Sequence, residues 1–288
     1  MAISTITAPR IMSIEATRPA DRKLWVSDMR ANVLASDEGV NMTGTGGLRF
    51  AVGGLHSSLV SVFPDTRVSL MLDLSSDDAP TRARAVDLVV NAYRGPVIAV
   101  LRKQWSLDEP DAEDLAHDFF AHALEREWLA RYDRNRGRFR TFLRTCLQDF
   151  ARTAHEAAHR LKRGGHLTAV PLEETSASID AAVDQLFEQE WVRSVMTLSL
   201  ERLRLECESS GRQRTYDVFV AHDVDGADDN PRYADLAGRF GLPVTQVANY
   251  LHWARGRFRG HVLDTLRSLT GSDAEFREEA RALLGREA

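Results

Sequence analysis

The sequence predicts an all-α protein: two small helical domains joined by a flexible linker, with an irregular N-terminal extension. Three observations carry this. Apolar residues recur at three- and four-residue steps from Asp87 to Lys162 and again from Leu186 to Leu269, the period of a helix. No β-rich run follows Ala79. The chain has 288 residues, 43% hydrophobic and 27% charged, an ordinary globular composition with room for about two domains. The expected boundaries are an extension over 1–80, a first domain over 81–163, a linker over 164–184, a second domain over 185–270 and a polar helical tail over 271–288.

The extension carries Gly39 to Gly47, then Gly53-Gly54, and one or two short strands are expected between Leu55 and Leu74. It shows no recognisable chemistry: Gly44-x-Gly46 lacks the rest of a dinucleotide fingerprint and a following helical pattern. Met71 would begin a tidier protein. The first domain opens with Val86, Val89, Val90, Tyr93, Val97, Leu101 and Trp105 on one helical face, with Gly95-Pro96 as the expected kink. Asp111 is expected to cap the next helix, whose stripe is Leu115, Phe119, Ala123 and Leu124. A turn over Arg134-Asn-Arg-Gly137 leads to a long helix from Phe139, with Phe142, Leu143, Cys146, Leu147, Phe150, Ala154, Ala158 and Leu161 apolar and Gly164-Gly165 as its stop. After the linker, Leu186 to Glu208 reads as an amphipathic helix with Phe187, Trp191, Val195, Leu198 and Leu205 inward.

Several function classes are excluded early. The longest apolar run, Val97 to Leu101, is far short of the roughly 18–20 residues a membrane helix needs. The first thirty residues lack the apolar core of a secretory signal. Two cysteines, Cys146 and Cys207, make neither a disulfide framework nor a four-cysteine zinc site, and a reduced cytoplasmic protein is expected.

The net charge of −5 argues against a nucleic-acid binder, but its distribution argues for one. Asp108 to Asp118 holds six acids and no lysine or arginine; Arg126 to Arg163 holds eleven bases and four acids; Arg232 to Arg267 holds six bases and two acids. That suits a polyanion surface beside a separate partner surface. In the first basic block, Arg131 to Phe142 interleaves arginines with aromatics, the chemistry of phosphate contact and base stacking.

The sharpest local signal is a helix-turn-helix between Asn230 and Leu269. Asn230 is a natural N-cap with Pro231 behind it. Leu236, Ala237 and Phe240 face inward, Gly241 takes the left-handed turn, and Pro243 opens the second helix. Ala237 allows close crossing, and Val247, six residues after Gly241, pins the second helix down. Val247, Leu251, Ala254 and Phe258 form its buried stripe. Thr245, Asn249 and His252 lie opposite, where asparagine can read an adenine edge, and Arg255, Arg257 and Arg259 are placed for phosphates.

One motif points elsewhere. His155-Glu156-Ala157-Ala158-His159 matches the H-E-x-x-H of zinc peptidases, which makes a zinc metallopeptidase a remote alternative. Lys162 and Arg163 follow at once and repel a cation, and Glu173 or Glu174 as third ligand lies beyond the Gly-Gly stop. No metal, cofactor or catalytic residue is expected.

In their order, the two blocks resemble a bacterial RNA polymerase sigma factor of the extracytoplasmic-function type, over about two thirds of the chain, in a divergent subgroup similar to planctomycete members. Asp111-Ala-Glu-Asp-Leu-Ala-His-Asp-Phe-Phe120 resembles the family's D-A-E-D-L-x-Q-E-x-F helix, and Arg138-Phe-Arg-Thr-Phe-Leu143 its R-F-R-x-F-L run. The resemblance implies core RNA polymerase, through its β′ clamp helices and β flap, and promoter DNA as partners, with an anti-sigma or other regulatory protein besides. It implies polymerase docking by Asp114, Leu115, Asp118 and Phe119. Minus-ten binding and melting would fall to Arg138, Phe139, Arg140, Thr141, Phe142, Asp149 and Arg152. Minus-thirty-five binding would fall to Arg232, Thr245, Gln246, Asn249, His252 and Arg255. His117, Asp149 and Pro243 depart from the family's usual glutamine, asparagine and Ser/Thr. The alternative is a helix-turn-helix regulator that never joins polymerase.

Overall fold

A computed structural model describes residues 73–285, apart from 75, 127, 134–136, 163–176 and 226–230. The expected strands of the extension, the Arg134 turn apart from Gly137, the Gly164-Gly165 stop, most of the linker and the Asn230 cap lie outside the described residues. Among the described residues the secondary structure is entirely helical. None of these helices is long and apolar enough to cross a membrane.

Helix α1 spans Ala79–Gln104, with Asp78 accepting the Thr81 N–H at 3.0 Å and Pro80 in the first turn. It buries Val89, Tyr93, Val97 and Leu101 as the periodicity requires. Helix α2 spans Glu109–Glu125. Its cap is Asp108 rather than Asp111: the Asp108 carboxylate accepts the Asp111 N–H at 2.9 Å, and Pro110 fits the first turn, where no N–H is needed. Its buried face is Ala112, Ala116, Phe119, Phe120 and Ala123, leaving Leu124 exposed. Helix α3 spans Phe139–Lys162.

Helix α4 spans Ala177–Ser209, nine residues earlier than the sequence pattern suggests. It is not amphipathic. Val183, Phe187, Trp191, Val195, Met196, Leu200, Leu203 and Cys207 are buried, and they lie on more than one face because α4 packs along both α1 and α7. Leu205, expected inward, is exposed. Helix α5 (Gln213–Phe219) passes into a π-turn over Val220–Val224. Helices α6 (Tyr233–Phe240) and α7 (Val244–Leu269) form the hairpin, and α8 spans Asp273–Leu284.

The core departs from the expected plan in two ways. One continuous apolar cluster joins residues of both blocks, from Ala85 to Leu284, rather than two separate cores on a linker. The reason is α4, whose two buried faces serve both halves. The second departure is α8, expected as a polar tail. Phe276, Ala280, Leu283 and Leu284 are buried at helical spacing, so it is a packed element.

Candidate nucleic-acid interface

The hairpin is built as its spacing requires. Gly241 adopts φ 62° and ψ 43° at the end of α6, and its N–H bonds the Ala237 carbonyl. Leu236 and Ala237 are buried under α7, where Val247, Leu251, Ala254 and Phe258 are fully enclosed. Opposite them Thr245, Asn249 and His252 are exposed, as is Arg232 at the start of α6. Gln246 is half-buried and donates through its amide to the Tyr250 hydroxyl at 2.9 Å. One surface thus carries three exposed polar side chains on successive turns of a well-anchored helix.

Two arginines further along α7, Arg255 and Arg257, already meet carboxylates. Arg255 donates through Nε to Asp223 Oδ2 at 3.0 Å and through Nη2 to Asp223 Oδ1 at 2.8 Å. Asp223 is fully enclosed on the π-turn and also lies 3.0 Å from His222 Nδ1. Burial pushes the Asp223 carboxyl up, but the hydrogen bonds from His222 and Arg255 outweigh it and hold the group below its usual range. Arg257 pairs with Glu206 of α4 at 2.8 Å, and His261 meets the same carboxylate at 2.7 Å. Arg255, expected at phosphates, here ties α7 to the π-turn through Asp223.

The aromatic–arginine segment at the start of α3 is placed differently again. Phe139 is only 1% exposed and packs edge-on to Tyr93 (5.6 Å between centroids) and Tyr132 (5.3 Å). The Arg140 side chain is 8% exposed, 2.5 Å from Glu279 of α8 and 2.7 Å from Glu188 of α4, with its guanidinium over the Trp191 ring at 4.6 Å. Arg138 lies 3.0 Å from Glu278 and 3.4 Å from Glu279. Arg144, one turn on, pairs with Asp184 of α4. Phe139 and Arg140, expected to hold unpaired bases, are thus covered here. Phe142 is half-buried against Tyr132, whereas Thr141 is exposed, and so are Asp149 and Arg152, which pair with each other at 2.9 Å.

The reason for this cover is electrostatic. The first turn of α3 holds no acid and begins with arginines, so two cations crowd the positive end of the helix dipole. Glu275 of α8 supplies what α3 lacks. One carboxylate oxygen accepts the Phe139 N–H at 3.1 Å, and the other accepts the Gly271 N–H at 2.8 Å. Glu279, one turn on and 3% exposed in its side chain, holds Arg140. Burial and then Glu275 push the Tyr132 hydroxyl up to about 12. Burial also raises the Glu188 carboxyl, against the pull of Arg140. Glu188, Glu275 and Glu279 were missed by the sequence reading. The signal was present in the stripe Phe276, Ala280, Leu283 and Leu284, which places Glu275 and Glu279 one residue to its side.

Of the docking set, Asp114 and Asp118 are exposed, Leu115 is half-buried, and Phe119 is fully enclosed among Phe120, Trp128 and Phe150. Phe119 thus sits in the core beneath the exposed acids. Asp114 lines a groove of about 530 Å³ between α1 and α2, with Val90, Arg94, Glu113, His117 and Leu124. In the H-E-x-x-H motif, the His155 ring packs 5.3 Å from Trp105. The side chain of His159 lies outside the described residues, among which no cluster of three or more metal-ligating side chains occurs.

Comparison with protein-family models, with curated proteins and with solved structures returns no match for this chain.

Proposed function

We propose that this chain is a sigma-type transcription factor that binds core RNA polymerase and directs it to promoters, without catalysis of its own. The observation that carries the reading is the α6–α7 hairpin: a left-handed Gly241 turn, a sealed inner stripe, and Thr245, Asn249 and His252 open on the outer face. The groove between α1 and α2 that Asp114 lines, with Asp118 exposed further along α2, supports it as the surface for polymerase. Such a protein works in the cytoplasm, on DNA and polymerase.

The test is co-elution of the chain with bacterial core RNA polymerase on gel filtration, beside Asp114→Ala/Asp118→Ala. Both residues are exposed, so the variant keeps the fold. A stoichiometric complex lost in the variant supports the reading, and no complex with the wild-type chain overturns it.

A second reading has its own support. The hairpin is open while Phe139 and Arg140 are covered, which suits a helix-turn-helix regulator that reads duplex DNA and never melts it. Tight, sequence-specific duplex binding by the chain alone, with no polymerase complex, would favour that reading.

A further inference from the structure

We propose that helix α8 is a removable cover: its glutamates occupy, within the same chain, the donors at the start of α3 that otherwise meet nucleic-acid phosphates. This rests on the reading of the chain as a DNA-binding protein.

Four observations converge. The contacts are chemically those of phosphate recognition, with two guanidiniums and a helix N-terminal N–H meeting carboxylate oxygens (Arg138 to Glu278 and Glu279, Arg140 to Glu279, Phe139 N–H to Glu275). The cluster is buried at Arg140, Glu275 and Glu279, with Arg138 and Glu278 at its exposed rim, and it is imperfect. Arg140 Nε lies 2.7 Å from Glu188 off the hydrogen-bonding direction, and Glu279 Oε1 receives no hydrogen bond. Buried ion clusters of this kind are seldom the most stable filling for a core, and their best-attested use is to specify or switch an arrangement. Helix α8 is also short, 12 residues, and joins α7 through Thr270 to Ser272 alone. A helix of that length is marginal without its packing, so its local opening is governed by these contacts. Finally, what α8 covers, Arg138 to Phe142, is a stretch that interleaves arginine with aromatic residues.

Opening α8 would release Arg138, take from Arg140 the carboxylate of Glu279 while Glu188 and Trp191 of α4 stay beside it, and leave α3 with an uncapped, cation-rich start. A polyanion fills that need. The closed form seen here and a DNA-bound form thus compete for the same donors, so DNA and α8 exclude each other at this place.

The test uses the full chain and a fluorescent duplex with a central unpaired bubble. Binding is followed by anisotropy and amide exchange by mass spectrometry. Saturating DNA should speed exchange across residues 276–284 while α7 stays protected. Glu275→Gln/Glu278→Gln/Glu279→Gln should bind the probe at least tenfold tighter than Asp77→Asn/Asp87→Asn/Glu208→Gln, which makes the same change in charge at exposed positions. Equal affinity of the two variants overturns the cover, and so does unchanged or slower exchange in α8 at DNA saturation. The wild-type exchange experiment needs no substitution, so a poorly folded variant does not mask the result. Failure of the underlying reading looks different: neither the wild-type chain nor either variant binds the probe at low salt, which removes the ligand and the cover with it.

Discussion

The starts of α3 and α7 are two versions of one idea. Each places polar side chains on the first turns of a long helix, and each was read from sequence as a DNA contact. At α7 Thr245, Asn249 and His252 stand in solvent, because the inner stripe from Val247 to Phe258 takes the burial. At α3 the residues are arginine and phenylalanine, and burial takes them in: Phe139 enters the core and Arg140 follows with Glu279 and Glu188 around it. Residue type alone does not decide availability. An exposed polar stripe needs no partner, whereas a cation beside a buried aromatic draws carboxylates from wherever the fold can bring them.

The largest expected effect lies at α3. Arg140→Ala leaves the buried Glu279 without its closest cation and should cost about 3–5 kcal/mol in denaturant unfolding. A cost under 1 kcal/mol would mean that the cluster is hydrated and the contrast with α7 shallow. Next, at α7, Asn249→Ala should leave stability within about 0.5 kcal/mol, as an exposed substitution does, yet cost about 1–3 kcal/mol of DNA affinity at a single base position in a systematic panel of duplexes. Uniform weakening across the panel would argue against base reading. Gly241→Ala should destabilise the hairpin by about 1–2 kcal/mol by thermal melting. A Cβ there meets open space, so the cost is that of the left-handed backbone alone.

The smallest effect separates the two buried arginines by pH. The Asp223 carboxyl is held below its ordinary value, so its contribution is complete above about pH 4 and fades as pH falls through the lowered value in the folded state. Asp223→Asn should therefore flatten the acid limb of the stability curve. At Glu188 the shift runs upward, so ionising it disfavours the fold, and Glu188→Gln should slightly raise stability above about pH 5 relative to wild type. The same acid limb in wild type and Asp223→Asn would place the loss elsewhere.

What was legible follows the same line. Helical class, the order of elements and the hairpin were readable because each rests on local spacing: Ala237, Gly241 and Val247 declare the turn within eleven residues. The single core was not, because it depends on α4 being buried on several faces, and such a helix loses the one-sided stripe by which burial is read. The role of Arg255 was hidden in Asp223, a lone acid in the apolar run Phe219 to Val224 that could be buried only with a cation. The clasp on α3 joins positions some 136 to 140 residues apart. No local pattern spans that distance, although an uncapped helix that starts with arginines announces that acids must come from somewhere.

Helix α4 acts as a phase-setting shaft. Over 33 residues, about 50 Å, it engages α3 through Asp184 and Glu188 near one end, and α7 through Ser199 and Glu206 near the other. One residue inserted between Glu188 and Ser199 would turn one set against the other by about 100° and break register at both. Seven inserted residues would bring the two back to within about 20°, two turns further apart. Length variation that keeps this phase is thereby confined to a few sizes, about seven or eleven residues among the shortest, and the angle between the start of α3 and the polar face of α7 takes discrete values.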